Sequence, residues 1–202
     1  MNYEFEILEK IIGYRGFFSL ERYRLRHQLF SGGWTPEISR ECLERGHAVA
    51  VLPYDPRRDQ VVLIEQFRIG ALALPQGPWL LEIVAGIIGP SEAKLDVARR
   101  EALEEAGCQL FDIVPIGEYL VSPGSSSETI SVYCARVDAS QAGGVHGLTE
   151  EHEDIRVHVL ALEEALNLLG SGAIFSATPI IALQWLALNR RTLLQRWTLA
   201  SP

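Results

Sequence analysis

The sequence predicts one main domain in which a mixed β-sheet is covered by helices, of α/β or α+β class, preceded by an antiparallel β extension. Three observations carry this. The elements run strands, one helix, strands and then helices, an order that a regular parallel βαβ repeat does not produce. Polar and apolar residues alternate through the first thirty positions, with Arg22, Arg24 and Arg26 on one side and Tyr23 and Leu25 on the other. The chain has 202 residues, of which 48% are hydrophobic and 22% charged, enough for a full core and ordinary for a globular domain.

The extension is assigned to residues 1–46 and the main domain to residues 47–202. Within the extension, strands span about Tyr3 to Phe30, Ser31-Gly32-Gly33 is a turn, and Thr35-Pro36-Glu37 opens a short irregular or helical link. The main domain begins with strands at about His47–Leu52 and Val61–Arg68, joined through the turn Asp55–Asp59. Two prolines and a glycine make Ala71–Pro78 a loop, and Trp79–Val84 is a strand leading to Gly86. Ser91 is the expected N-cap of a helix that runs to Ala106 and stops at Gly107. Strands at Asp112–Leu120, Thr129–Val137 and Ile155–Leu160 are separated by the loops Ser122–Ser127 and Ala139–Gly147. Helices at Leu162–Leu169 and Thr178–Gln195 close the chain.

A formal charge of −8 argues against a nucleic-acid partner, because that binding rests on clustered Lys and Arg. It does not argue against phosphate ligands if metal ions supply the positive charge. Cys42, Cys108 and Cys134 are distant and odd in number, so they read as small apolar residues and not as a zinc site or disulfide framework. No segment reaches the roughly 18 uncharged apolar residues of a membrane span, and the N-terminus lacks the pattern of a signal peptide. A cytoplasmic location is the expectation.

On the central helix, Glu101, Glu104 and Glu105 stand at i, i+3 and i+4, within about 100° of arc on one face. Leu95, Ala98, Ala102 and Ala106 form the neighbouring stripe, small enough for close packing on a sheet. Crowded carboxylates repel one another and raise their own pKa values, and a hard divalent cation reverses that penalty. Spacing by itself favours a blander reading, a solvated acidic face with Arg99 and Arg100 as partners.

The wider order of residues overturns that reading. From Gly86 to Cys108 the chain runs GIIGPSEAKLDVARREALEEAGC. This resembles the signature of the Nudix hydrolases, in which Gly, Glu, Arg-Glu, Glu-Glu and Gly recur at fixed spacings. Gly86, Glu92, Arg100, Glu101, Glu104, Glu105 and Gly107 meet every charged or glycine position. Ala102 and Cys108 depart from it only in being smaller than the usual aliphatics. The resemblance implies a Nudix-type α/β/α sandwich and a Mg²⁺ site with two or three ions, for which Mn²⁺ can substitute. It assigns Glu101 and Glu105 as principal ligands, with Glu104, Glu153 and the carbonyl of Ala85 contributing. Gly86, Glu92 and Arg100 then orient the loop and the ligands.

The resemblance extends downstream. Tyr119–Gly124, with Pro123 sixteen residues after Gly107, and His146–Val157 are similar to markers of the bacterial ADP-ribose pyrophosphatases within that family. It implies that Glu151, on a glycine-rich mobile loop, is the general base. His146 and His152 read as exposed and incidental, and His27, His47 and His158 as structural. Arg68 is the expected contact for the diphosphate or the terminal ribose, and Arg40, Glu41, Phe17, Glu128 and Pro123 are expected substrate contacts. In this group the N-terminal residues reach the site of the other subunit, so a homodimer with exchanged N-terminal strands is implied. The expected reaction is hydrolysis of ADP-ribose, a small nucleotide sugar, to AMP and ribose 5-phosphate. Other nucleoside diphosphate sugars, or a non-catalytic sensing module, are the alternatives.

Overall fold

The computed structural model describes residues 3–199, which fall into two compact units. One takes the chain up to His47 together with Tyr119–Ile130; the other takes Ala48–Glu118 and the chain from Ser131 onward.

The first unit is built on a three-stranded antiparallel sheet of β1 (Phe5–Arg15), β2 (Ser19–His27) and β3 (Ile38–Glu44), in that order. The residues after Thr35-Pro36-Glu37 form β3 and not an irregular or helical link. Its polar run Ser39-Arg40-Glu41 hides a strand whose backbone is satisfied by β2, with Arg40 opposite Tyr23 and Leu43 opposite Leu20. Ion pairs supplement the ladder. Buried Glu21 takes Lys10 Nζ at 2.8 Å and the Tyr23 hydroxyl at 2.6 Å, while Arg24 reaches Glu9 and Glu37. The sheet nevertheless leaves Phe5, Ile7, Ile12, Tyr14, Phe17 and Phe30 exposed. Residues 121–128 are tied to β3, with Leu43 N–H donating to the Ser125 carbonyl at 2.8 Å.

The second unit is organised by an eight-stranded sheet. Its strands are β4 (Ala48–Asp55), β5 (Gln60–Phe67), β6 (Trp79–Glu82), β7 (Val84–Ile87), β8 (Phe111–Leu120), β9 (Thr129–Arg136), β10 (Gly144–His146) and β11 (Ile155–Ala161). The main path is β10-β11-β5-β4-β9-β8, with β6 paired to β5 and β7 to β4. The pairs of β5 with β4, β6 and β11 are antiparallel. Val137 N–H, just beyond β9, donates to the Tyr54 carbonyl at 3.1 Å. That bond joins the C-terminal ends of β9 and β4, the direction of a parallel pair, so the sheet is mixed.

Strand β4 is buried along its whole length because both faces of the sheet are covered. On one face Val49, Val51, Val62, Ile64 and Val84 pack with Val97, Ala98, Ala102 and Ala106 of α1 (Lys94–Ala106). On the other, α2 (Leu162–Gly170) and α3 (Ala177–Leu199) lie over β4, β5, β6 and β11. Arg190 of α3 bonds the Tyr54 hydroxyl and Asp59, and Trp197 Nε1–H donates to the Asp112 carbonyl at 3.0 Å. The α/β/α sandwich expected from the sequence is therefore present. No helix among the described residues is long and apolar enough to cross a membrane.

Four local expectations are corrected. Ser91 is not the N-cap: it lies in a turn at φ 66°, and α1 starts behind Ala93 without a side-chain cap. Leu95 is exposed, and Val97 takes its place on the buried face of α1. The predicted strand Trp79–Val84 is two strands, because the chain changes partner from β5 to β4 at buried Ile83. The loop Ala139–Gly147 contains a 3₁₀ turn capped by Asp138, then β10.

Candidate active site

The site forms where β7 and the loop 88–93 deliver the chain into α1. Gly86 is required by space: a Cβ there would lie 2.0 Å from Glu101 Oε1 and 2.4 Å from its Cγ. Its bare backbone lets the Glu101 side chain lie against β7. Gly89 N–H donates to Glu92 Oε2 at 2.7 Å, closing the loop before the helix. At the far end Gly107 adopts φ 62°, and its N–H and that of Cys108 return to the carbonyls of Leu103 and Ala102.

Glu105 is buried, and its Oε2 accepts the Ala85 N–H at 3.0 Å. Burial drives its carboxyl up to about 8, against the Ala85 hydrogen bond; the charges of Glu101 and Glu153 add to the rise and Arg68 opposes it. Glu101 is raised to about 7, again by burial first, with Arg100 opposing and Glu104 and Glu153 adding. These couplings place Glu101, Glu104, Glu105 and Glu153 within one electrostatic neighbourhood. Arg100 pairs with Glu101 at 2.9 Å and with Glu104 at 3.1 Å, with Glu92 at 3.9 Å.

Among the described residues no three His, Cys, Asp or Glu side chains already close around a single point as a metal cage. The donor set still fits a hard divalent ion. It consists of carboxylates, two of them held in a poorly solvated position at a cost that cationic charge would relieve. Among the described residues only one oxygen of Glu105 receives a protein donor, which leaves the other for a ligand bond.

Glu153 enters from the loop after β10, where its Oε2 accepts the Leu148 N–H at 3.2 Å. Glu151 ends a short 3₁₀ turn, exposed, and its carboxylate makes no hydrogen bond or ion pair among the described residues. Arg68 follows β5 and donates to Glu82 at 2.7 Å; its charge reaches Glu105. The structure thus brings Glu101, Glu104, Glu105, Glu153, Arg100 and Arg68 together, while no hydrogen bond or ion pair among the described residues ties the Glu151 carboxylate to them. A cavity of about 250 Å³ is lined by Glu65, Trp79, Val145, Asp154 and Arg156.

Phe17, Arg40, Glu41, Pro123 and Glu128 belong to the first unit. Phe17 lies in the β1–β2 turn, 87% exposed and edge-on to Phe18. Arg40 and Glu41 are exposed on β3, and Pro123 is exposed in the loop that β3 anchors. Glu128 is buried and paired with Arg45 at 3.3 Å.

Two contributors escaped the sequence reading. Glu82 holds Arg68, and its signal was a carboxylate inside the apolar run Leu80-Leu81-Glu82-Ile83-Val84. His146, read as exposed and incidental, is half-buried with its ring against Gly107. Nothing in its local sequence marks that contact.

A NUDIX domain model matches residues 44–181. The chain is 51% identical over 192 residues to an ADP-ribose pyrophosphatase of Escherichia coli strain K12, covering 95% of this chain and 92% of the relative. It is 44% identical over 197 residues to an ADP-ribose pyrophosphatase of Haemophilus influenzae, covering 96% and 91%. A crystal structure of an ADP compounds hydrolase superposes with a TM-score of 0.67 over 96% of this chain and 94% of that one; at 21% identity, it bears on the fold alone.

Proposed function

Because this chain belongs to the NUDIX family and is a hydrolase, we propose that it cleaves the diphosphate of ADP-ribose to AMP and ribose 5-phosphate. The observation that carries the reading is the packing of Glu101 and Glu105 against β7. Gly86 makes room for one, Ala85 N–H fixes the other, and both are held at raised pKa. The extended identity to two ADP-ribose pyrophosphatases supports the choice of substrate.

Glu101 and Glu105, with Glu104, Glu153 and the Ala85 carbonyl, would hold two or three Mg²⁺ ions, with Mn²⁺ as a substitute. When bound, the metal neutralises diphosphate charge and makes a water more acidic. Arg100 spans Glu101 and Glu104 and keeps their carboxylates oriented, while Glu92 closes the loop in front of them. Arg68, steadied by Glu82, presents its remaining N–H groups to diphosphate oxygens. Glu151 accepts the proton of the attacking water. Its exposed position on a short turn requires the loop to bring it inward when substrate is present.

Phe17, Arg40, Glu41, Glu128 and Pro123 are proposed to complete the nucleotide site in a homodimer with exchanged N-terminal strands. The exposed Phe5, Ile7, Ile12, Tyr14, Phe17 and Phe30 support that assembly, since a lone sheet gains by covering such residues. Sedimentation velocity should give one species of twice the chain mass; a monomer that turns over at full rate contradicts the exchange. Three free cysteines suit the reducing cytoplasm proposed as its location.

A substrate panel tests the reading. ADP-ribose should be cleaved with kcat/KM at least about tenfold above GDP-mannose and other nucleoside diphosphate sugars. A preference for another sugar would redirect the substrate assignment and leave the metal site standing.

A further inference from the structure

From the contacts at the C-terminal end of α1 we infer that His146 is a positioning residue. Its ring, seated on Gly107, fixes the loop 147–153 so that Glu153 faces the carboxylates of α1 and Glu151 starts from a defined place. The inference rests on reading those carboxylates as the reactive site.

The seat begins with Gly107. An atom in its Cβ position would stand 2.9 Å from His146 Cε1, closer than carbon atoms pack, so the missing side chain is what admits the ring. The adjoining ring atom Nε2 lies 2.9 Å from the Gly143 carbonyl, and this links both ends of β10. The next residue continues the attachment. Gly147 N–H donates at 3.2 Å to the carbonyl of Glu104, one of the last-turn acceptors that a helix leaves unpaired. Gly147 has φ 104°, and a Cβ there would come within 2.7 Å of Glu153 Cβ.

Beyond Gly147 the loop closes on itself. Leu148 N–H donates to Glu153 Oε2 at 3.2 Å, and Glu153 N–H donates to the Leu148 carbonyl at 3.2 Å. A continuous set of contacts therefore runs from Gly107 through His146, Gly147 and Leu148 to Glu153. The charge of Glu153 acts on both Glu101 and Glu105, so the end of this chain of contacts lies at the site. Gly107 thus does two things: it ends the helix that carries the carboxylates, and it receives the ring that places the loop. His146 touches none of the site carboxylates and acts through the backbone it holds.

The test compares the wild-type chain with His146→Ala and His146→Gln. Amide hydrogen exchange is measured in metal-free protein, Mn²⁺ affinity by electron paramagnetic resonance, and kcat and KM with ADP-ribose at saturating Mg²⁺. For His146→Ala, exchange at Gly147 and Leu148 should quicken by about tenfold or more while β4 and β5 stay protected. Mn²⁺ affinity and kcat should each fall by about 10–100-fold, as for other residues that orient ligands from behind, with KM changing by less than about threefold. His146→Gln retains an N–H for the Gly143 carbonyl and should recover most of both. Unchanged exchange at Gly147 and Leu148 overturns the inference, as does faster exchange with kcat kept within about twofold. If the wild-type chain leaves ADP-ribose intact, the functional reading fails separately, and exchange in metal-free protein still decides whether His146 holds the loop.

Discussion

Replacing Glu105 by Gln should make the metal-free protein more stable while abolishing turnover. Glu105 is 3% exposed, and burial lifts its carboxyl from 4.5 to about 8 despite the Ala85 N–H that opposes the rise. The folded chain therefore keeps a proton there that the unfolded chain releases from about pH 4.5 upward. Stability falls as pH rises through that window, and the loss is complete above about 8. A difference of this size corresponds to roughly 5 kcal/mol at its upper bound. Local relaxation and water entry reduce it, and we expect about 2 kcal/mol. Glutamine has nearly the same volume, carries no charge and keeps an acceptor for the Ala85 N–H. Thermal melts followed by circular dichroism, in EDTA from pH 4.5 to 9, measure the effect. At pH 8 the variant should melt about 4–8 °C above wild type, and the gap should close towards pH 4.5. Glu101, raised to about 7, leaves a smaller slope in both proteins. With Mg²⁺ present, kcat should drop by several orders of magnitude, because one of the two proposed principal ligands is lost. A variant that melts at or below wild type at pH 8, or a gap that persists into acid, refutes the reasoning.

Gly86→Ala puts a methyl group 2.0 Å from Glu101 Oε1, so the carboxylate must swing off β7. We expect kcat to fall by about 10–100-fold with a loss of about 1–3 kcal/mol in urea melts, and unchanged kinetics would show that this packing is dispensable. Glu151→Gln should lower kcat by about 10²–10⁴-fold with Mn²⁺ affinity retained, whereas an effect on KM alone contradicts a base role. Asp55→Ala removes a buried carboxylate that accepts the N–H groups of Ala139, Arg57 and Arg58 and pairs with Arg58. It should cost about 3 kcal/mol by chemical denaturation; a cost below about 1 kcal/mol would place little of the β4–β5 turn's stability in that cluster.

The sandwich and its acidic helix were legible because local signals agree there. Continuous apolar runs mark β4 and β5, Gly107 stops α1, and the order of Gly, Glu and Arg through residues 86–107 sets a site that no single carboxylate discloses. What escaped depends on contacts distant in sequence. β3 reads as an irregular or helical link because its backbone partner is β2, thirteen or more residues earlier, and its own side chains are largely exposed. Ser91 has the chemistry of a cap but sits at φ 66° in the loop that Gly89 and Glu92 close, so the helix starts later. Spacing puts Glu101, Glu104 and Glu105 on one face alike, yet only packing against β7 distinguishes buried Glu105 from Glu104. His146 is a further case: Gly107 lies thirty-nine residues before it, and only the β10 strand brings them together.

The most direct test of the central claim is product analysis by anion-exchange chromatography after incubating ADP-ribose with the wild-type chain and with Glu105→Gln, each in Mg²⁺ and in EDTA. The expected result is AMP and ribose 5-phosphate in equal amounts from wild type with Mg²⁺, and neither from the other three mixtures. AMP released in EDTA, or by Glu105→Gln at a rate near wild type, would contradict a metal-dependent hydrolase built on α1.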